Sequence, residues 1–187
     1  MRGDSMTGEE FAYKRTMCNK AIKTGCMELN IKVPEVYYLQ LDNIKLYDQE
    51  GNVVSYDYRD IGYDVKSIRY IPQEYVIYIN ISLFMNEINM LVKCYQTVRQ
   101  MYQLREIYNK RHSLKLNESS TTVNLWQYGY FEGNNRATKI TPIQADLMAF
   151  SVVMMQKHHT MHIDFKDNDY FGFESLLNSL KKDFLNI

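Results

Sequence analysis

Hydrophobic positions along this chain change period twice. Between Ile81 and Arg111, Phe84, Ile88, Leu91, Tyr95, Val98 and Tyr102 recur at alternating steps of four and three, which places them on one face of an α-helix. No Gly or Pro interrupts this run, so nothing in it forces a kink. Gln96, Gln100 and Gln103 form a second stripe beside the first, and by position alone that stripe is a solvated helix edge. Residues 7–27 predict an earlier helix, capped by Thr7 or Asp4, with Glu9 and Glu10 in its first turn. Phe11, Met17, Cys18, Ala21 and Ile22 make its inner face, and Lys14, Arg15, Lys20 and Lys23 a basic, solvated outer side.

From Glu35 to Ile81 the period falls to two. Tyr37, Leu39 and Leu41 alternate with Tyr38 and Gln40, and Ile44, Leu46 and Tyr47 extend the run to a turn at Asp48–Asn52. Val53, Val54, Tyr56 and Tyr58 read as the returning strand, and Ser67–Ile71 and Tyr75–Ile81 as two more around Pro72. After a polar stretch (114–122) and an aromatic one around Trp126, Thr141 and Pro142 open another helix with Gln144 closing a capping box. Ile143, Leu147, Phe150 and Met154 form its buried stripe, and Phe173, Leu176, Leu177, Leu180 and Phe184 that of a final helix. The predicted architecture is one α+β domain over 1–187: an N-terminal helix (7–27), a β-rich region (35–81) and a helical region (82–187). A small antiparallel sheet of about four strands would pack with the long central helix and three to four further helices.

Composition narrows the function classes. Lys+Arg and Asp+Glu balance at 22 each, which argues against a strong sequence-independent grip on nucleic acid. Cys18, Cys26 and Cys94 are odd in number and lack CxxC spacing, as expected of reduced thiols in a cytoplasmic protein. The first residues hold no apolar run, so no signal peptide is expected, and no stretch is apolar enough for a membrane span. Sixteen tyrosines and eleven methionines suit an adaptable interface as well as a core. In the hairpin, Tyr37/Tyr38 and Tyr56/Tyr58 bracket Gly51, and these pairs are the candidate partner-binding residues. One member of each is expected inward and the other outward.

The order strand, long helix, Trp, capped helix resembles small zinc metallopeptidase-like proteins of the HExxH class. There a helix reads HExRHxYQ and a later one PIExD; here Gln96–Gln103 and Pro142–Asp146 lie on those motifs. The resemblance covers roughly residues 70–156, with Arg99, Tyr102, Gln103, Pro142, Ile143, Asp146 and Phe150 matching its frame. It implies a cleft containing Gln96, Thr97, Arg99, Gln100, Gln103, Gln144 and Asp146. The zinc chemistry is absent from it. Gln96 and Gln100 replace the paired imidazoles, Thr97 the glutamate base and Gln144 the third ligand, and a neutral amide is a weak zinc ligand.

The resemblance therefore implies a pseudoenzyme with no catalytic residue and no cofactor. Such a chain would work by binding a macromolecule, most readily a protein. An inhibitor of a host defence protein, of the anti-CRISPR type and carried by a phage or mobile element, is one such role. Two alternatives use other residues. A metal-dependent hydrolase would draw on His158 and His162 with Asp146 or Asp164, although no motif places a third ligand. A nucleic-acid regulator would use Lys93, Arg99, Arg105, Lys110 and Arg111. Asp164, Asp167 and Asp169 do not fit the twelve-residue calcium-loop register and read as a solvated acidic turn.

Overall fold

A computed structural model describes residues 6–40, 45–54, 67–114, 142–165 and 172–187, with the side chains of 107–114 and 142 outside that description. The protein is α+β, and its contacts divide it into two compact units, residues 1–97 and 98–187. Tyr56, Tyr58, Trp126, Thr141, Asp167 and Asp169 lie outside the described residues.

In the first unit, α1 spans Gly8–Glu28. Thr7 caps it by accepting the Glu10 N–H at 3.1 Å. It ends where Asn30 turns left-handed (φ 52), with the Ile31 and Asn30 N–H groups donating to the Cys26 and Met27 carbonyls. Cys18, Ala21, Ile22, Gly25 and Cys26 are buried at helical spacing. The predicted basic side is partly spent on internal contacts. Lys14 pairs with Glu87 at 3.1 Å, and Arg15 donates through Nε to the Gln49 carbonyl while lying over the Phe11 ring.

Five strands make one sheet: β1 (Glu35–Gln40), β2 (Lys45–Tyr47), β3 (Val53–Val54), β4 (Ile68–Ile71) and β5 (Val76–Asn80). Their order is β3-β2-β1-β5-β4. The expected fully antiparallel sheet of about four strands is thereby corrected: β1 and β5 pair in parallel at the centre, and the other pairings are antiparallel. The signal lies in β5, whose residues are all buried, as in the near-continuous apolar strands of parallel pairings.

The β2–β3 turn is closed by Asp48, whose Oδ1 accepts the Glu50 and Asn52 N–H groups. Those bonds, the Asn52 backbone N–H foremost, hold its carboxyl below the usual range. Gly51 has φ +89, and a Cβ there would collide with the Arg15 guanidinium. Gly51→Ala is therefore expected to lower stability by roughly 1–2 kcal/mol, read from the urea midpoint; an unchanged midpoint would mean that the turn relaxes freely.

The helix predicted from Ile81 is interrupted. Residues Ile81–Met85 are a 3₁₀ helix, and α2 begins at Glu87 and runs to Leu114. Both starts are capped by asparagines: Asn80 Oδ1 accepts the Ser82 N–H, and Asn86 Oδ1 the Asn89 N–H. Within α2, Leu91, Tyr95 and Val98 of the predicted stripe are buried together with Met90 and Cys94, while Ile88 in the first turn is exposed. In the first unit, Phe11, Tyr38, Tyr47 and Phe84 form an aromatic cluster with centroid separations of 4.9–6.3 Å.

Cys18, Cys26 and Cys94 are buried free thiols. A hydrogen bond to Cys94, then burial, pushes the Cys18 thiol up, and burial pushes Cys26 up to about 12. Burial likewise moves Tyr70 to about 12. A group whose folded pKa is raised supports folding below its unfolded pKa and loses that support as pH climbs through the folded value. The urea midpoint is thus expected to hold to about pH 9 and fall steadily towards pH 12, with all three thiols silent to a disulfide reagent in the native chain. Rapid labelling of one native thiol would contradict this.

In the second unit, α2 continues from Val98, followed by α3 (Pro142–His159) and α4 (Phe173–Leu185). α3 and α4 pack together, with the Phe150 and Phe184 rings edge to face at 5.7 Å. Instead of the single stripe expected, α3 is buried almost all round, from Ile143, Ala145 and Asp146 to Val152–Met155, while Leu147 is only half-buried.

Candidate functional site

The cleft residues that the metallopeptidase resemblance implies fall in both units. Gln96 and Thr97 belong to the first, and Arg99, Gln100, Gln103, Gln144 and Asp146 to the second. Thr97 is buried, and its hydroxyl donates back to the Lys93 carbonyl at 2.8 Å, a bond inside its own helix. Gln96, Gln100 and Gln144 are half-buried. An imidazole pair and a carboxylate would suit zinc; the neutral amides do not.

In the second unit the frame residues converge. Arg99 grips Asp146 side-on, with Nε to Oδ2 at 2.8 Å and Nη2 to Oδ1 at 3.1 Å. Its guanidinium also lies 4.7 Å from the Tyr102 ring centroid and 5.3 Å from that of Phe150. One turn on, Gln103 donates from Nε2 to Asp146 and to the Ile143 carbonyl. Gln103 is 1% exposed, and Arg99 and Asp146 side chains are 12% exposed each. These three were expected to line an open cleft. They are instead an interior polar network, because an i, i+4 pair on α2 faces one buried carboxylate on α3. Arg99 is likewise withdrawn from the basic stripe considered for nucleic acid, and the Lys110 and Arg111 side chains lie outside the described residues.

The histidines are also reassigned. α3 ends at His159, and Thr160 is left-handed (φ 53), so His162 falls beyond the helix and does not pair with His158 at helical spacing. His158 and His159 occupy the last turn of α3, where cationic side chains complement the helix dipole. Among the described residues, no three His, Cys, Asp or Glu side chains gather closely enough to hold a metal ion.

A second candidate lies in the first unit, on the sheet face away from the Tyr38 cluster. Register puts Glu35 beside Val76, Tyr37 beside Tyr78, and Leu46 beside Val54. These residues and Glu74 line a cavity of about 360 Å³. Its floor is apolar, with Leu46 and Val76 buried against Leu39. Tyr37 and Tyr78 stack at 5.8 Å and 27°, and the Tyr37 hydroxyl donates to Glu35 Oε2 at 3.0 Å. That hydrogen bond, burial, and the charges of Glu35 and Asp48 raise the Tyr37 hydroxyl above its ordinary pKa.

Tyr38 points the other way. It is fully buried and donates to Asn19 Oδ1 at 2.6 Å, with the Arg15 carbonyl at 3.1 Å as a second acceptor. Of the two cavity carboxylates and Tyr78, none was singled out from sequence. The period-two run Glu35, Tyr37, Leu39 carried the signal for one wall, and only the β1–β5 pairing supplies the other.

Fold and sites define an α+β chain with a buried Arg–Asp–Gln network and an acidic, tyrosine-walled cavity on its sheet. No protein-family model, curated protein or solved structure compared with the chain matches it. Among the described residues, no helix is long and apolar enough to cross a membrane.

Proposed function

We propose that this chain is a non-catalytic protein-binding module, a metallopeptidase-like frame without its chemistry, that docks its partner on the sheet face of Tyr37 and Tyr78. The observation that carries the reading is the cavity itself: an aromatic wall over an apolar floor, with exposed carboxylates at the rim, matches the apolar-centre, polar-rim anatomy of a recognition surface. The frame is supported by the contacts among Arg99, Tyr102, Gln103, Ile143, Asp146 and Phe150, the positions at which the resemblance rests. The loss of chemistry is supported by amides at Gln96, Gln100 and Gln144 and by the back-bonded Thr97 hydroxyl. Inhibition of a host defence protein by a phage or mobile-element product falls within this class.

The test is capture of a partner from lysate of the native host, with the captured protein then purified and titrated against variants. Tyr37→Ala and Glu74→Lys are expected to weaken binding about tenfold or more. The triple variant Gln96→Ala/Gln100→Ala/Gln144→Ala should bind normally. The opposite pattern would move the site to the frame helices and end the sheet-face reading.

A further inference from the structure

The cavity on the sheet combines two kinds of group, carboxylates and aromatic rings. Glu35 and Glu74 are exposed carboxylates at its margin, and the half-buried Tyr37 ring lies stacked on Tyr78, which belongs with Leu46 and Val76 to the buried floor. Rings present a negative face to a cation, and a carboxylate supplies the counter-charge and hydrogen-bond acceptors. The chain already satisfies a guanidinium in this way in its second unit, where Arg99 is held by Asp146 and lies over Tyr102 and Phe150. Among the described residues, no cation of the chain lines the sheet cavity. Arg69 stands at the register position beside Tyr78 on the neighbouring strand but is not part of the lining, and Lys32 lies over the Tyr75 ring.

Resting on the partner-binding reading above, we infer that this cavity receives an arginine side chain of the partner protein, stacked against Tyr37 and paired with Glu35 and Glu74. Guanidinium fits better than ammonium for a geometric reason. It is planar, so it stacks on a ring while its fork still reaches carboxylates at the margin, whereas an ammonium is a strongly hydrated point charge. Glu35 is fixed beside the Tyr37 ring, since its Oε2 accepts the Tyr37 hydroxyl at 3.0 Å. A cavity of about 360 Å³ accommodates one such side chain, and the apolar floor meets its methylene stem.

The experiment is a titration of the full chain, labelled with ¹⁵N, using three blocked peptides that differ only in a central arginine, lysine or citrulline, with N-acetyl-arginine amide as a fourth probe. The arginine peptide is expected to give saturable shifts at the amides of 35–37 and 76–78. Citrulline has the same shape without the charge and should bind about tenfold more weakly or worse. Glu35→Gln/Glu74→Gln should cause a similar loss with melting moved by no more than ~2 °C. Equal binding of citrulline, or shifts confined to other residues, would overturn the inference. Equal binding of the lysine peptide would overturn the guanidinium assignment, and N-acetyl-arginine amide binding as tightly as the peptide would replace a protein partner with a small-molecule ligand. Failure here is separable from failure of the broader reading. If arginine peptides do not bind while Tyr37→Ala still weakens the captured partner, the cation inference alone falls. If partner binding ignores this face, the reading itself falls.

Discussion

Replacing Asp146 with alanine is expected to cost about 3–5 kcal/mol of folding stability, the largest single loss among the polar residues described. The carboxylate accepts from both Arg99 and Gln103, so its removal leaves a guanidinium and an amide in the interior without their shared acceptor. For a chain of this size the melting temperature should fall by roughly 8–15 °C. Arg99→Met/Asp146→Leu should recover most of that loss, because replacing both members with apolar groups removes the unpaired charge along with the pair. Urea denaturation of the two variants beside the parent measures both quantities. A loss below about 1 kcal/mol for Asp146→Ala would mean that Arg99 swings out to water, and the network would then be peripheral to the second unit.

Adjacent tyrosines on β1 should separate stability from binding. Tyr38→Ala is expected to cost about 3–5 kcal/mol, since it removes a fully buried ring packed on Phe11 and Phe84. Tyr38→Phe should cost about 1–2 kcal/mol, because Asn19, which also donates to the Gln49 carbonyl, loses its donor. Tyr37→Ala should change stability by about 1 kcal/mol or less and weaken the partner by about 2 kcal/mol or more. Chemical denaturation and a titration of the captured partner, run on the same three proteins, decide the matter. If Tyr37→Ala unfolds the chain as Tyr38→Ala does, Tyr37 is core along with Tyr78 and the cavity is a packing gap.

Sequence alone determined the local features. A polar cap at the start of α1, narrowed to Thr7 or Asp4, the helical spacing of Cys18, Ala21 and Ile22, the Gly51 turn and the period-two strands all depend on neighbours within a few residues. The unsuitability of Gln96, Gln100 and Gln144 as zinc ligands was equally legible, since a side chain's donors and acceptors do not depend on where it folds. What escaped was either a balance between two local signals or a matter of distant pairing. The start of α2 falls later than predicted because apolar periodicity continues through Asn86, while its side chain favours capping a new helix over extending the old one. Only the tertiary structure decided that β1 and β5 run parallel, since no local hydrogen bond specifies a strand's partner or direction. The same non-local choice carried Arg99 and Gln103 inward onto a carboxylate more than forty residues away, and set Glu74 and Tyr78 against Glu35 and Tyr37 to form the cavity. Alternation settles that Tyr37 and Tyr38 face opposite ways; which of them is core depends on which face the helix covers.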